Sequence, residues 1–163
     1  LDPPKNPLRF LEIAKLILQE RKDVVFVWIG GSVVEDSYGK QVEQWLLENP
    51  EESKNIHFLP FRKDAIELMA DFDILLLTSD AEGMPLVVLE AQNLGIPVVS
   101  TDVGCITEKD GVTIITNLNE LKNFSEKVSA ILKKSSFLNS DDNNYKNTNL
   151  GTFLNSYKKY FFD

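Results

Sequence analysis

Cysteine, histidine and long apolar runs are all scarce in this sequence. Its 163 residues include one cysteine, Cys105, and one histidine, His57, which excludes an internal disulfide and any Cys/His metal-ligand spacing. No apolar run approaches the roughly 18 residues of a membrane-spanning helix, and the opening LDPPKNPLRF is unlike a signal peptide. These absences fit a reducing compartment or indifference to redox, and we expect a cytoplasmic protein or one on the cytoplasmic face of a membrane.

Positive charge is also in short supply. The 17 Lys and Arg residues stand against 25 Asp and Glu, a net charge of −8. A nucleic-acid partner would require a clustered excess of basic residues and an anionic membrane surface a basic stripe, and the sequence has neither. An acidic domain can still bind a phosphate ligand, because peptide N–H groups and one or two cations decide such a site locally. Hydrophobic and charged fractions of 43% and 26% are those of one ordinary globular domain.

Helical and strand-like apolar patterns alternate along the chain. Short apolar runs predict strands at 24–31, 56–59, 74–77, 97–100 and 112–115. Apolar residues at helical spacing predict helices at 7–21, 37–48, 62–71, 85–94 and 118–133. This alternation indicates a parallel sheet covered on both faces, and right-handed crossovers make it a Rossmann-like, doubly wound α/β fold.

Composition divides the chain into three parts. Residues 1–134 form the predicted Rossmann-like domain, the polar residues 135–149 a flexible connection, and residues 150–163 a C-terminal helix. That helix must bury an aromatic stripe, either on its own domain or partly on a second domain. The stripe consists of Phe153, Leu154, Tyr157, Tyr160 and Phe161. The abrupt opening, a turn leading straight into a helix, predicts that further chain precedes it.

Ligands of open α/β sheets bind outside the carboxyl ends of the strands. Four loops are predicted to open on that edge, at 30–32, 60–62, 79–84 and 101–108. In the third loop, Gly83 permits close backbone approach or a positive φ, and Pro85 preorganises the first helical turn. Free peptide N–H groups near Met84, Leu86 and Val87 would then form an anion site suited to a diphosphate.

Two carboxylates bracket this predicted anion site. Glu82 precedes the helix and Glu90 lies inside it, on the order of 10 Å away. A carboxylate suits a vicinal diol, because it has two acceptor oxygens and its hydrogen bonds are charge-assisted. The separation matches a folded sugar–diphosphate–ribose, with sugar hydroxyls on one carboxylate and the ribose diol on the other.

The spacing of Glu82 and Glu90, within EGMPLVVLEA and followed by GIPVVSTD, resembles the donor-binding domain of retaining glycosyltransferases of family four. Further segments agree in order: LDPPKNP, VWIGG and IHFLPF. The likeness runs from about residue 3 to residue 132. It implies the GT-B fold, in which two Rossmann-like domains face a cleft, with residues 1–134 as the nucleotide-sugar-binding half.

The resemblance also implies roles for residues at the matching positions. Glu82 would contact the donor sugar, Glu90 the ribose, and Lys5 the diphosphate, so that Glu82 and Lys5 are the candidate catalytic residues. The other donor-binding candidates are Gly30, Gly31, Phe61, Arg62, Gly83, Met84, Pro85, Leu86 and Val87. Gly30 and Gly31 would approach the nucleotide, and Phe61 and Arg62 would lie near the base.

The implied reaction transfers a hexose from a nucleotide sugar, with UDP as the expected nucleotide and with retention of configuration. It needs no cofactor and no metal, since cationic side chains and helix amides stabilise the departing phosphate. The acceptor would be a saccharide or lipid-linked glycoconjugate in polysaccharide assembly. A preceding domain would bind it and would provide any membrane association. Alone, this chain is expected to bind donor weakly to moderately and to transfer nothing.

The sequence departs from the family pattern in three places. An arginine usual just before the LDPPK segment is not in this chain, and the usual Gly-Gly after the fourth strand is Gly104-Cys105. Glu108 keeps the customary acidic position, but the DGVTIIT that follows fits loosely.

Several candidate residues also fit ordinary structural roles, and further functions remain open. Lys5 can be a solvated turn lysine, Gly30-Gly31 a plain turn, and Arg62 a surface residue at a helix start. A nucleotide-sugar-binding module without transfer activity would use the same fold, as would a GT-B epimerase. The single histidine argues against the epimerase, whose sites carry further carboxylates and histidines. A glycosidase acid/base pair would place its carboxylates on separate elements.

Overall fold

The computed structural model describes residues 3–31, 37–108, 112–115 and 121–138. A 3₁₀ turn, Pro3–Lys5, leads into the first helix. The helices are α1 Pro7–Glu20, α2 Ser37–Glu48, α3 Pro50–Ser53, α4 Ala65–Met69, α5 Leu86–Asn93 and α6 Leu121–Leu138. The strands are β1 Phe26–Ile29, β2 Ile56–Leu59, β3 Leu75–Leu77, β4 Val98–Thr101 and β5 Val112–Ile115.

All strand pairs in the described residues are parallel, as predicted. Strand β1 pairs with β2, with Phe26 opposite Ile56. Strand β4 lies between β3 and β5, so that Val98 faces Leu75 on one side and Val112 on the other. The hydrogen-bonded strands therefore form two sheets, β1–β2 and β3–β4–β5, where the sequence predicted one continuous sheet.

Side chains of β3 and β4 alternate between two apolar cores on opposite faces of these strands, as expected for a sheet covered on both sides. In β4, Val99 enters the core built by α1 and α6, whereas Val98 enters the core beneath α5. Strand β3 divides in the same way, with Leu76 on the α1 side and Leu77 on the α5 side. The predicted covering of both faces is thus confirmed for β3 and β4.

Helix α1 is the largest contributor to the first core. The Asn6 side chain accepts a hydrogen bond from the Arg9 N–H, and Pro7 occupies the first helical position; both residues are typical of a helix start. Its apolar face packs on α6 and on an aromatic cluster in which the Phe10 ring lies 5.8 Å from Phe26 and 5.3 Å from Trp28, both edge-on.

Several element ends differ from the prediction for local reasons. Strand β1 ends at Ile29, because Gly30 and Gly31 have φ values of 103° and 81°. Pro85 is extended, with ψ 98°, so α5 begins one residue later than predicted. Helix α4 begins at Ala65, three residues late: the carboxylate of its N-cap residue, Asp64, binds the Arg62 guanidinium and caps no helical N–H.

The predicted connection at 135–149 is wrong at its start. Helix α6 continues to Leu138, so residues 135–138 are helical. Their serines suggested a loop, but composition is a weak guide at a helix end, where propagation costs far less than nucleation. The rest of the connection and the predicted helix at 150–163 lie outside the described residues. So do residues 118–120, the predicted first turn of α6.

None of the helices in the described ranges combines the length and the apolar character that crossing a bilayer requires.

Candidate functional site

The start of the chain lies against the loop between β3 and α5. The Asp80 N–H donates to the Pro4 carbonyl at 2.7 Å, and the Thr78 hydroxyl donates to the Lys5 carbonyl at 3.0 Å. These bonds bring two segments more than 70 residues apart in sequence to the carboxyl end of β3. The turn that precedes α1 therefore lies beside the predicted ligand-binding loops at the carboxyl ends of the strands.

An ion pair fastens the two segments together. The Arg9 guanidinium donates to the Thr78 carbonyl at 2.7 Å and to the Asp80 carboxylate at 2.6 Å. The Asn6 amide donates to the other carboxylate oxygen of Asp80 at 2.9 Å, from a residue in the left-handed region with φ 48°. Sequence reasoning missed Arg9 and Asp80, because nothing local distinguishes them from other surface charges.

This arrangement brings the two candidate catalytic residues into contact. The Lys5 ammonium donates to a Glu82 carboxylate oxygen at 2.5 Å, and the Ser79 hydroxyl donates to the same oxygen at 2.7 Å. The Glu82 side chain is 11% exposed and that of Lys5 is 41% exposed. Glu82 is therefore a mostly buried carboxylate fixed by two hydrogen bonds, whereas the Lys5 side chain remains partly accessible to solvent.

Opposing effects act on the Glu82 carboxyl. Burial raises its pKa, but the hydrogen bonds from Lys5 and Ser79, together with the positive charge of Lys5, outweigh burial and leave the pKa below its ordinary value of 4.5. The carboxylate is consequently ionised at neutral pH, ready to accept hydrogen bonds from hydroxyl groups.

We expect this pair to make part of the stability of the domain depend on pH. Because the folded-state pKa of Glu82 is depressed, its contribution is present above about pH 4.5 and is lost as the pH falls through the folded-state value. Urea unfolding at pH 7 should show Glu82→Gln less stable than wild type by about 1–2 kcal/mol, and the difference should shrink at pH 3. Glu67→Gln, at an exposed position, is the control: its stability difference from wild type should be the same at pH 7 and pH 3. A Glu82→Gln deficit of equal size at both pH values would contradict the assignment.

Helix α5 presents an open amino end beside Glu82. The Val88 N–H donates to the Pro85 carbonyl at 3.0 Å. The N–H groups of Met84, Leu86 and Val87 donate to no other described residue. The Met84 and Leu86 side chains are 60% and 58% exposed, and they leave this end of the helix accessible. The predicted amide groups are thus available to an anion.

Glu90 lies in the second turn of α5, four residues after Leu86 and about 6 Å further along the axis. Its side chain is half-buried and pairs with no other described residue. Glu82 and Glu90 therefore stand before and within the same helix. Their predicted separation of about 10 Å stays a prediction.

The glycines of the candidate site behave differently from one another. Gly30 and Gly31 both need a positive φ, and the Gly30 N–H donates to the Leu59 carbonyl at 3.0 Å, which fixes the turn after β1. Gly83 has no positive φ, so of its two predicted roles close backbone approach is the one that remains. A Cβ added to it would meet nothing within 4 Å, which leaves room for close approach by a ligand.

The two candidates for the base contact lie before α4. The Phe61 ring is 79% exposed, and the Arg62 guanidinium donates to the Asp64 carboxylate at 2.6 Å. Tyr38, at the start of α2, was missed by sequence reasoning. Burial raises the pKa of its hydroxyl, the nearby charge of Asp80 raises it further, and that of Arg9 opposes this. Tyr38 therefore lies close enough to Asp80 and Arg9 for their charges to act on its hydroxyl.

A separate cavity of about 270 Å³ lies on one side of α5. Met84 and Pro85 reach it, but Lys5, Glu82 and Glu90 do not. Its lining is Met84, Pro85, Val88, Leu89, Gln92, Cys105, Ile106, Thr107 and Val112. We locate the candidate site by the ion pair and the helix amides, because those groups carry chemistry that the mainly apolar cavity lacks.

Parallel strands, helices on both faces and polar groups gathered at the carboxyl edge define this chain as a Rossmann-like α/β domain with a ligand-accessible helix start. Within that class it belongs to the glycosyl transferases group 1, whose family model matches residues 1–134. The predicted family and its fold are confirmed.

Individual relatives agree with the family. The chain is 33% identical over 129 residues to the UDP-Gal:alpha-D-GlcNAc-diphosphoundecaprenol alpha-1,3-galactosyltransferase of Escherichia coli, covering 75% of this chain and 32% of that protein. Anabaena Alr3699/HepE, solved in complex with UDP-glucose, is 25% identical with a TM-score of 0.64, covering 82% of this chain and 38% of the other. WaaG, a glycosyltransferase involved in lipopolysaccharide biosynthesis, is 27% identical with a TM-score of 0.67, covering 81% and 35%. This chain thus spans about a third of the length of these relatives.

Proposed function

We propose that this domain binds the nucleotide-sugar donor of a retaining glycosyltransferase that transfers a hexose from a UDP-sugar. One observation carries the proposal: the ion-paired Glu82 carboxylate lies directly before the open amino end of α5. A carboxylate for hydroxyls and N–H groups for a diphosphate are thus adjacent, as a sugar linked to a diphosphate requires.

Each part of the donor has a partner in this proposal. The N–H groups of Met84, Leu86 and Val87 receive the diphosphate, and the Gly83 backbone allows its close approach. The sugar hydroxyls donate to Glu82 and the ribose diol to Glu90. Gly30-Gly31 approaches the nucleotide, and the base lies near the exposed Phe61 ring and Arg62.

In the transfer step, the bond between the anomeric carbon and the β-phosphate oxygen breaks, and its electron pair stays on that oxygen. The acceptor oxygen forms the new bond on the same face and passes its proton to the departing phosphate oxygen, so that configuration is retained. Lys5 and the amino end of α5 stabilise the negative charge that develops on the departing UDP. The Lys5 charge and the partial positive charge at the amino end of α5 supply that stabilisation without a metal or cofactor.

The relatives support the choice of donor. The Escherichia coli relative takes its name from UDP-Gal, and HepE was solved with UDP-glucose. The name of the Escherichia coli relative also supports a lipid-linked saccharide acceptor, and with it a place of action at a membrane. Since this chain spans a third of that relative, we place acceptor binding outside these residues. Named relatives that are transferases favour transfer over epimerisation.

Nucleotide binding tests the proposal directly. We expect UDP added to the 163-residue chain to shift the ¹⁵N-amide signals of residues 83, 84 and 86–90 in a saturable manner, with an affinity in the micromolar to millimolar range. Glu90→Gln should weaken this binding by about 10-fold, because an ionised acceptor for the ribose diol is lost.

Glu43→Gln is the matched control, since Glu43 is an exposed helical glutamate on α2. Its affinity for UDP should equal that of wild type. If the backbone amide signals of residues 83, 84 and 86–90 do not move at about 10 mM UDP, tenfold above a Kd of about 1 mM, the proposed site is overturned. Equal weakening by both variants would remove Glu90 from it.

A further inference from the structure

Gly104 lies in the loop after β4, next to the loop that carries Glu82. Its φ is 63°, in the left-handed region that favours glycine. The candidate donor site described above assigns it no role.

The backbone of the Glu82 loop fills the place of a side chain at Gly104. A Cβ built on Gly104 would lie 2.5 Å from the Gly83 carbonyl oxygen and 3.1 Å from that of Glu82. Both neighbours are backbone atoms, which cannot rotate away as the end of a flexible side chain can. Any residue other than glycine must therefore displace the Glu82–Gly83 peptide or the loop that contains residue 104.

A second contact from the same segment holds the Glu82 loop three residues earlier. The buried Thr101 hydroxyl donates to the Ser79 carbonyl at 2.7 Å, and the Ser79 hydroxyl in turn donates to the Glu82 carboxylate at 2.7 Å. The space at the Cβ position of Gly83 itself is open within 4 Å, so the contact with Gly104 is made on the carbonyl side of the Gly83 peptide. The end of β4 and Gly104 thus restrain the loop at both of its ends.

We propose that Gly104 is a positioning residue: by lacking a side chain, it lets the loop after β4 pack directly on the Glu82–Gly83 peptide and so sets where the Glu82 carboxylate meets the donor sugar. This inference deepens the proposed function and rests on it for the identity of the ligand. The geometric part, the placement of Glu82 against Lys5, is independent of any ligand.

The chain offers a matched pair of variants. Gly104→Ala introduces both left-handed strain and the clash with Gly83. Gly95→Ala introduces the same strain alone, since Gly95 has φ 73° and nothing within 4 Å of its Cβ position. Comparing the two separates the effect of contact from that of backbone conformation.

Two measurements on the full chain follow. In a ¹³C titration of the Glu82 carboxyl group, Gly104→Ala should move the pKa upward, towards its ordinary value, because the Lys5 and Ser79 hydrogen bonds are disturbed; Gly95→Ala should leave it unchanged. In binding, Gly104→Ala should weaken UDP-galactose by about 10-fold or more but UDP by about twofold at most, since UDP lacks the hexose that would meet Glu82.

Thr101→Val removes the hydrogen bond to the Ser79 carbonyl and so loosens the same loop without a clash. It should shift the Glu82 pKa and the UDP-galactose affinity in the same directions as Gly104→Ala, but by smaller amounts. This variant tests the proposal if Gly104→Ala does not fold. A Glu82 titration identical in Gly104→Ala and Gly95→Ala would overturn the proposal. So would equal weakening of UDP and UDP-galactose, or an unfolded Gly104→Ala together with a Thr101→Val that matches wild type. If the wild-type chain binds neither ligand, the proposed function fails, and the titration alone still decides whether Gly104 positions Glu82.

Discussion

Lys5→Ala is expected to weaken UDP binding by about 10- to 100-fold and to raise the pKa of Glu82. The Lys5 ammonium would make a charge-assisted contact with the diphosphate, and its loss removes that contact. It also leaves the Glu82 carboxylate, which is only 11% exposed, without its cation beside an incoming anion. Both effects lower the affinity for UDP. Calorimetry with UDP at moderate ionic strength measures the first effect, and a ¹³C titration measures the second.

Lys54→Ala is the matched control for this experiment. Lys54 also forms an ion pair, with Glu51 at 2.7 Å, but it precedes β2 and so belongs to the amino edge of the strands. Its replacement changes the net charge by the same amount and should leave UDP affinity within about twofold of wild type, since a distant exposed charge is screened by salt. If the two lysine variants bound UDP equally, the role assigned to Lys5 would be lost.

Leu11→Ala is expected to destabilise the domain by about 2–5 kcal/mol, the range for truncating a fully buried leucine. Leu11 is 0% exposed in the core between α1, α6 and the strands, so alanine leaves a cavity there. The effect reaches the candidate site, because the same helix carries Arg9 and is capped by Asn6, which hold the loop before α5. Urea unfolding followed by circular dichroism provides the measurement.

Leu47→Ala gives the comparison at an exposed position. Leu47 lies on α2 and is 76% exposed, so its truncation removes little buried surface and should change stability by less than about 0.5 kcal/mol. A Leu11→Ala loss as small as that of Leu47→Ala would mean that α1 is not the structural centre that its burial indicates.

The secondary structure was predictable where the signal was local. Strands β2 and β5 begin and end at the predicted residues, because compact apolar runs are bounded on both sides by polar or turn residues. Helix α1 begins at Pro7 as predicted, since the cap and the proline are adjacent in sequence. The start of α4 was not predictable, because it depends on whether Arg62 or a helical N–H engages the Asp64 carboxylate.

The candidate site was predictable in its parts. Lys5, Glu82, Glu90 and the proline-started helix are visible in short segments that resemble a known family. Their arrangement was not: the Lys5–Glu82 contact spans 77 residues of chain, and the Arg9–Asp80 pair that supports it spans 71. Neither Thr101 nor Gly104 carries a local mark of its role, since each acts by meeting the backbone of another loop.

By itself, the sequence determined the α/β class, the parallel strands and the two glutamates about the start of α5, because periodicity and capping act between residues a few positions apart. Only the tertiary structure decided that Lys5 neutralises Glu82 and that Gly104 packs on its loop. Those contacts exist because strands distant in sequence lie side by side, which brings the turn before α1 and the loops after β3 and β4 to one edge. That proximity is set by strand order and helix packing together, and no single segment contains it.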